Sequence, residues 1–236
     1  REASFSVREL AKGEKVDKGV GEGTMSRAGV TCPHCNAIMT MEDLRIEGLA
    51  GRLGAVMTAV VMDGGNGKEY RLPTDEERRM ADEAAEALDA VFADIPFGIP
   101  DEPLPGKEAL GFRVPLYGFD QWCKLFTPRQ LLVLGTFVKY TRAVREAMRI
   151  DGYSVEWIEA VSAYLALAVD RVADRGSTIC TMVPSRETIG HTFARFALPI
   201  TWDFAESAPI NDATGGYPGA IEWVSLYITH ALLAVE

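Results

Sequence analysis

The stretch from Phe126 to Pro209 limits most strongly what this chain can fold into. It reads FTPRQLLVLGTFVKYTRAVREAMRI, then SVEWIEAVSAYLALAVDRVADRGS, then SRETIGHTFARFALPITWDFAESAP. Its periodicity predicts two long amphipathic helices and a third, shorter one. The first opens on Thr127 as a cap with Pro128 in its first turn. A threonine oxygen can accept from the free N–H groups there, and proline has no N–H to lose. The second carries Val155, Ile158, Ser162, Leu165, Val169 and Val172 on one stripe, with Trp157, Val161, Tyr164 and Ala168 beside it. A stripe that wide calls for burial between two neighbours.

The 236 residues, 47% of them hydrophobic, suffice for one core and an appendage. The net charge of −10 argues against a general nucleic-acid-coating protein. The charge is uneven, however. Acids dominate between Thr74 and Glu102, whereas Lys124, Arg129, Lys139, Arg142, Arg145 and Arg149 face only Glu146 in the next basic segment. A locally basic helix on an acidic body can still meet phosphate. Four cysteines, two of them a CxxC, do not form a disulfide framework, so a reducing, cytoplasmic setting is expected. The polar start REASFSVRELAKGEK is not a signal peptide. The apolar run Ala220–Val235 is short for a membrane span and contains Glu222 and His230, so it reads as a buried helix. The chain begins without Met and stops inside a helical pattern, as a piece of a larger protein would.

In chain order, Phe5–Leu10 alternates like a short strand and leads into a Gly-rich loop. VTCPHCNAIMT reads as a knuckle between two short strands. Leu53–Asp63 and Glu69–Leu72 flank GGNGK, a hairpin turn in which Gly and Asn tolerate positive φ. Thr74 and Glu77 form a capping box ahead of a helix from Asp75 to about Ala93, with Met80, Ala84, Leu88, Val91 and Phe92 on its apolar face. The Pro- and Gly-rich segment Ile95–Pro115 is too long for a tight connection, so it wraps a surface or moves. The expected class is α+β, mainly α: a small β-rich zinc-ribbon-like part over residues 1–73, then a helical domain over 74–236 with about five helices.

Four groups of residues invite a chemical reading. Cys32 and Cys35 can supply two of the four tetrahedral positions around zinc, but no second CxxC follows. The alternative is an empty knuckle or a pair of reduced thiols. A thioredoxin-like redox site lacks its βαβ frame. Arg142, Arg145 and Arg149 share one helix face near Lys139 and could form a phosphate-contacting ridge. They could equally be a solvated face, or pair with the acidic helix. Asp203 and Glu206, beside Trp202 and Phe204, could do acid–base or metal chemistry, or merely sit at a structural bend. Asp170, Arg171, Asp174 and Arg175 read as ion pairs along a helix surface. His191 and His230 have no partner at ligand or triad spacing. No GxSxG, HExxH or phosphate-binding Gly loop is present.

Taken in order, CPHC, EYRLPTDEE, LYGFDQWCKLFTPRQLLVLGTF, YLALAVDRVADRGS and FARFALPITWDFAESAPI resemble the central region of a family. It comprises the large adenine-specific DNA methylases that carry a zinc-ribbon insert and an N-terminal domain of unknown function. The similarity runs roughly from Phe5 to Val235. In that family the cofactor glycine motif lies upstream of this region and the catalytic D-P-P-Y downstream; neither is present here. The first CPxC of the split ribbon also lies upstream. Asn36 stands where the family usually has Gly, and Ala208-Pro209 where Asn-Pro is common. The resemblance implies an insert or recognition region of a methyltransferase. DNA is then the expected partner, through Arg129, Lys139, Arg142, Arg145 and Arg149, and Trp202, Asp203 and Glu206 lie at a cleft edge. Zinc would be held in part by Cys32 and Cys35. S-adenosylmethionine would be bound only in the full-length parent, with its flanking catalytic halves. No catalytic residue is expected in this chain, which should be inactive alone. The other reading is a non-catalytic zinc-ribbon and helical protein-interaction module.

Overall fold

The computed structural model describes residues 4–8, 10–11, 13–15, 17, 19, 23–65 and 67–234. The chain forms two compact units. The first is Arg1–Ala81 with Leu116–Gly118, and the second is Asp82–Pro115 with Phe119–Glu236. The architecture is α+β and mainly α, with small antiparallel two-stranded sheets.

In the first unit, β1 (Gly29–Thr31) pairs antiparallel with β2 (Ile38–Thr40), in the register Val30 to Met39. The knuckle between them is closed by Cys32 N–H donating to the Ala37 carbonyl at 2.8 Å and Asn36 N–H donating to the Cys32 carbonyl at 2.9 Å. Asn36 sits at φ +57°, a left-handed position that asparagine tolerates better than most residues. Helix α1 (Met41–Leu49) follows at once, capped by Thr40 and Asp43 in a reciprocal box. Its Gly48 lies so close to Tyr117 that a Cβ would come within 2.4 Å of the Tyr117 carbonyl oxygen, which fixes glycine there. The predicted hairpin forms as β3 (Val60–Gly64) and β4 (Gly67–Arg71), with Gly64 opposite Gly67. Residues 53–59 are irregular, so the first strand is shorter than its apolar run. The described residues of Phe5–Leu10 form no strand; Phe5 and Leu10 are exposed, with no neighbouring strand to reward alternation.

The capping box of α2 (Asp75–Glu83) is present: Thr74 Oγ1 accepts from Glu77 N–H at 3.2 Å, and Glu77 Oε2 accepts from Thr74 N–H at 2.8 Å. Glu77 also takes two hydrogen bonds from the Arg71 guanidinium, at 2.6 and 2.8 Å, tying the hairpin to the helix. The predicted helix to Ala93 is broken into α2, a 3₁₀ turn at Ala84–Ala87 and α3 (Leu88–Phe92). Ala84 and Phe92 are buried, whereas Met80 is exposed.

Two long helices build the second unit. Helix α5 (Pro128–Ile150) follows the short α4 (Lys107–Leu110), and α6 (Val155–Arg175) runs back against α5. Thr127 and Gln130 form a buried reciprocal cap, with Pro128 in the first turn as expected. The stripe on α6 is confirmed at Ile158, Val169 and Val172, with Ala168 fully buried beside it, but its first turn is not covered: Val155 and Trp157 are exposed. A second core lies where the sequence showed only a loop. Leu104, Phe112 and Val114 pack with Leu125, Ile179 and Leu198. Ile95–Pro115 is therefore partly interior, because its apolar residues are buried one at a time without any period.

Two expectations fail in the C-terminal part. Ser185–Pro209 forms no helix. It contributes β6 (Thr188–Ile189), which pairs with β5 (Met182–Val183) just ahead of it, and then runs irregularly. Its backbone N–H groups are taken by distant carbonyls: Gly190 by Thr181 at 2.9 Å, Thr192 by Asp174 at 2.6 Å and Ala205 by Cys180 at 2.8 Å. With Gly190 and Pro199 in the segment, those partners outcompete a local ladder. The last helix, α7 (Tyr217–Leu233), packs through Ala220, Ile221 and Val224 against α6, and Tyr217 stacks on Phe137 at 4.2 Å. It is not a buried helix: Trp223, Leu226, Tyr227, Leu232 and Leu233 are exposed. The helix carries apolar residues on more than one face, and α5 and α6 cover only one stripe of it.

Two outcomes are expected. A Cβ at Gly135 would lie 2.7 Å from Phe92 Cε2 and 2.9 Å from Val91 Cγ1. Overpacking costs about 1–3 kcal/mol, against about 1 kcal/mol regained in helix propensity. Gly135→Ala should therefore lose roughly 1 kcal/mol net in urea denaturation. The Arg71 and Thr74 contacts push the Glu77 carboxyl down to about 2. A depressed folded value stabilises above the unfolded value and is lost as pH falls through the folded one. The gap in thermal midpoint between wild type and Glu77→Gln should hold at pH 6 and close as pH drops from about 4.5 towards 2.

Candidate functional site

The helix α5 carries the basic ridge, and its cations are not equivalent. Arg129 Nε donates to Glu206 Oε1 at 2.7 Å in a half-buried pair. Lys139 reaches Asp94 at 3.2 Å, just beyond α3. Arg149 forms two hydrogen bonds with Glu146, at 2.6 and 2.9 Å, one turn away on its own helix. Its guanidinium holds the Glu146 carboxyl below the usual carboxylate range. Arg142 and Arg145 are exposed, and no acid lies within ion-pairing distance of either among the described residues. A phosphate approaching Arg142 and Arg145 therefore has no carboxylate to displace, whereas at the other three positions it competes with one.

The TWDFAE carboxylates do not act as a pair. Glu206 is turned to Arg129, whereas Asp203 is exposed beside the exposed Trp202. The contact between Arg129 and Glu206 spans 77 residues, a separation no local pattern reveals.

At the knuckle, the backbone N–H groups of Cys35 and His34 point at Cys32 and pull its thiol down. This is how a turn prepares a thiolate to meet a cation. Cys35 is exposed and both thiols are free. Among the described residues no cluster of three or more His, Cys, Asp or Glu could hold a metal. Cys32 and Cys35 thus stand as two free thiols on one turn.

The sequence missed one cluster. Asp174, in the last turn of α6, binds His191 Nδ1 through Oδ2, and its Oδ1 accepts from Phe193 N–H at 3.1 Å. Arg175 donates to His191 Nε2 at 3.0 Å and to the Ile189 carbonyl at 2.6 Å. A guanidinium has no lone pair to offer, so Nε2 accepts and the ring proton sits on Nδ1. Beneath them Ser177 and Thr192, both buried, share a hydrogen bond at 2.8 Å, and Cys180 approaches Thr192 at 3.3 Å. The charges on α6 are therefore not simple surface pairs. Asp174 and Arg175 clamp the β5–β6 hairpin, and Arg171 lies over the Trp223 ring at 5.4 Å. His191 does have a partner, but the contact closes across a hairpin and has no fixed spacing. The described order of charge at the end of α6 was the only signal.

Comparison with known proteins gives no match to any family model, any curated protein or any solved structure. No helix among the described residues is long and apolar enough to cross a membrane.

Replacing Asp174 with Ala removes the acceptor for both Phe193 N–H and the imidazole. A loss of about 1–3 kcal/mol is expected, against less than about 1 kcal/mol for His191→Ala, whose ring is half-exposed. Urea denaturation of both variants checks the order.

Proposed function

We propose that this chain is the DNA-contacting insert of an adenine-specific DNA methyltransferase that uses S-adenosylmethionine. The observation that carries the reading is the exposed pair Arg142 and Arg145 on α5, left without a carboxylate within the run of residues that resembles the methylase family. Arg129, Lys139 and Arg149 are secondary contacts, each of which must first leave an acid. In the intact enzyme the target adenine would be flipped out of the duplex for transfer. S-adenosylmethionine and the catalytic step belong to flanking halves, since no glycine-rich cofactor loop or D-P-P-Y occurs here. Cys32 and Cys35 fit zinc as half of a tetrahedral set, and the metal would brace the knuckle rather than react. Trp202, Asp203 and Glu206 lie at the edge of the catalytic cleft in this reading, with Glu206 held by Arg129.

A second reading, a non-catalytic protein-interaction module, is supported by the exposed Trp223, Leu226 and Tyr227 of α7. One titration separates the two. Duplex DNA should bind at low salt, and affinity should fall with salt. The Arg142→Ala/Arg145→Ala variant should weaken binding across sequences and flatten the log–log salt slope by about 2. Unchanged helical content by circular dichroism shows that the fold persists. No binding of wild type at low salt would favour the interaction module.

A further inference from the structure

One pocket of polar chemistry is left over by the contacts above. Gln130 is 5% exposed. Its Oε1 accepts from Thr127 N–H at 2.7 Å, which fixes the amide and makes Nε2 the outward donor. That Nε2 is buried and has no partner among the described residues. Glu206 is arranged in the opposite sense. Its Oε1 is committed to Arg129, and its Oε2 is buried without a partner among the described residues. Both residues line one cavity of about 30 Å³, whose other walls are Val133, Leu134, Val172, Gly176, Ser207 and Pro209. The two residues thus border the same small space, with one donor and one acceptor left over and no hydrogen bond between them.

The occupant can be argued by elimination. An anion would meet the Glu206 carboxylate. A cation would meet the Gln130 amide hydrogens, with the Arg129 guanidinium already on the same carboxylate. An apolar group would leave both atoms bare, which is costly for buried polar groups. A neutral molecule with a lone pair and an O–H satisfies both, and the space is large enough to hold a water. We infer that this cavity is a binding site for a single neutral donor–acceptor molecule of the size of water, bridging Gln130 Nε2 to Glu206 Oε2. The bound molecule accepts from the amide and donates to the carboxylate. It joins the first turn of α5 to the returning segment at Glu206–Pro209, beside the direct Arg129 contact.

A crystal structure of the wild-type chain, at a resolution that shows ordered solvent, tests this. One peak is expected within about 2.7–3.2 Å of both atoms, in every independent copy. A direct Gln130–Glu206 hydrogen bond, or a dry cavity, overturns the inference. Gln130→Met keeps the length of the side chain and removes the amide, so its structure should lose the peak. A peak that persists in that variant, held by Glu206 alone, also overturns the bridge. The wild-type structure decides even where the variant fails to fold.

Discussion

The second unit depends on how the chain enters helix α5. Leu125 is fully buried, and its carbonyl accepts from both the N–H and the hydroxyl of Thr178, each at 2.8 Å. Two residues on, Thr127 and Gln130 close the buried cap. The junction therefore joins three things: the core formed with Leu104, Phe112 and Val114, the start of α5, and the turn after α6. A buried backbone carbonyl needs a partner, and here the partner comes from 53 residues away. The helix axis, and with it every cation on α5, is set by that entry.

What the sequence could show followed distance along the chain. The caps at Thr127 and Thr74 were legible because both partners lie within three residues. The hairpin at residues 60–71 and the Cys32–Cys35 knuckle were legible for the same reason: turn chemistry is local. The shorter helix expected ahead of Pro199 was misread because apolar residues there happen to fall at helical spacing, whereas the backbone partners of Gly190 and Thr192 are Thr181 and Asp174. Apolar character in α7 said that it would be a helix but could not say how much of it a neighbour would cover. Leu104, Phe112 and Val114 were hidden in a Pro- and Gly-rich run because residues buried singly leave no period.

The candidate site divides the same way. The basic ridge was visible as spacing, but not which cations are already spent on Asp94, Glu146 and Glu206. That sorting needs three-dimensional neighbours, and it narrows the ridge to Arg142 and Arg145. The Asp174–His191–Arg175 clamp shows the reverse case: residues dismissed as surface pairs or as a lone histidine become the fastening of a hairpin.

Gly135 has a consequence beyond packing. It is where α5 presses against Phe92 and Val91, and Arg142 lies seven residues further along the same rigid rod, about 10 Å away by helical rise. The contact works as a fulcrum. A side chain there that tipped the helix by a few degrees would strain the contact with Phe92 and Val91 and also displace the guanidinium groups at the far end. The position of Arg142 and Arg145 in space thus depends on a residue seven or more positions away, where the absence of a single methyl group lets the helix lie as it does.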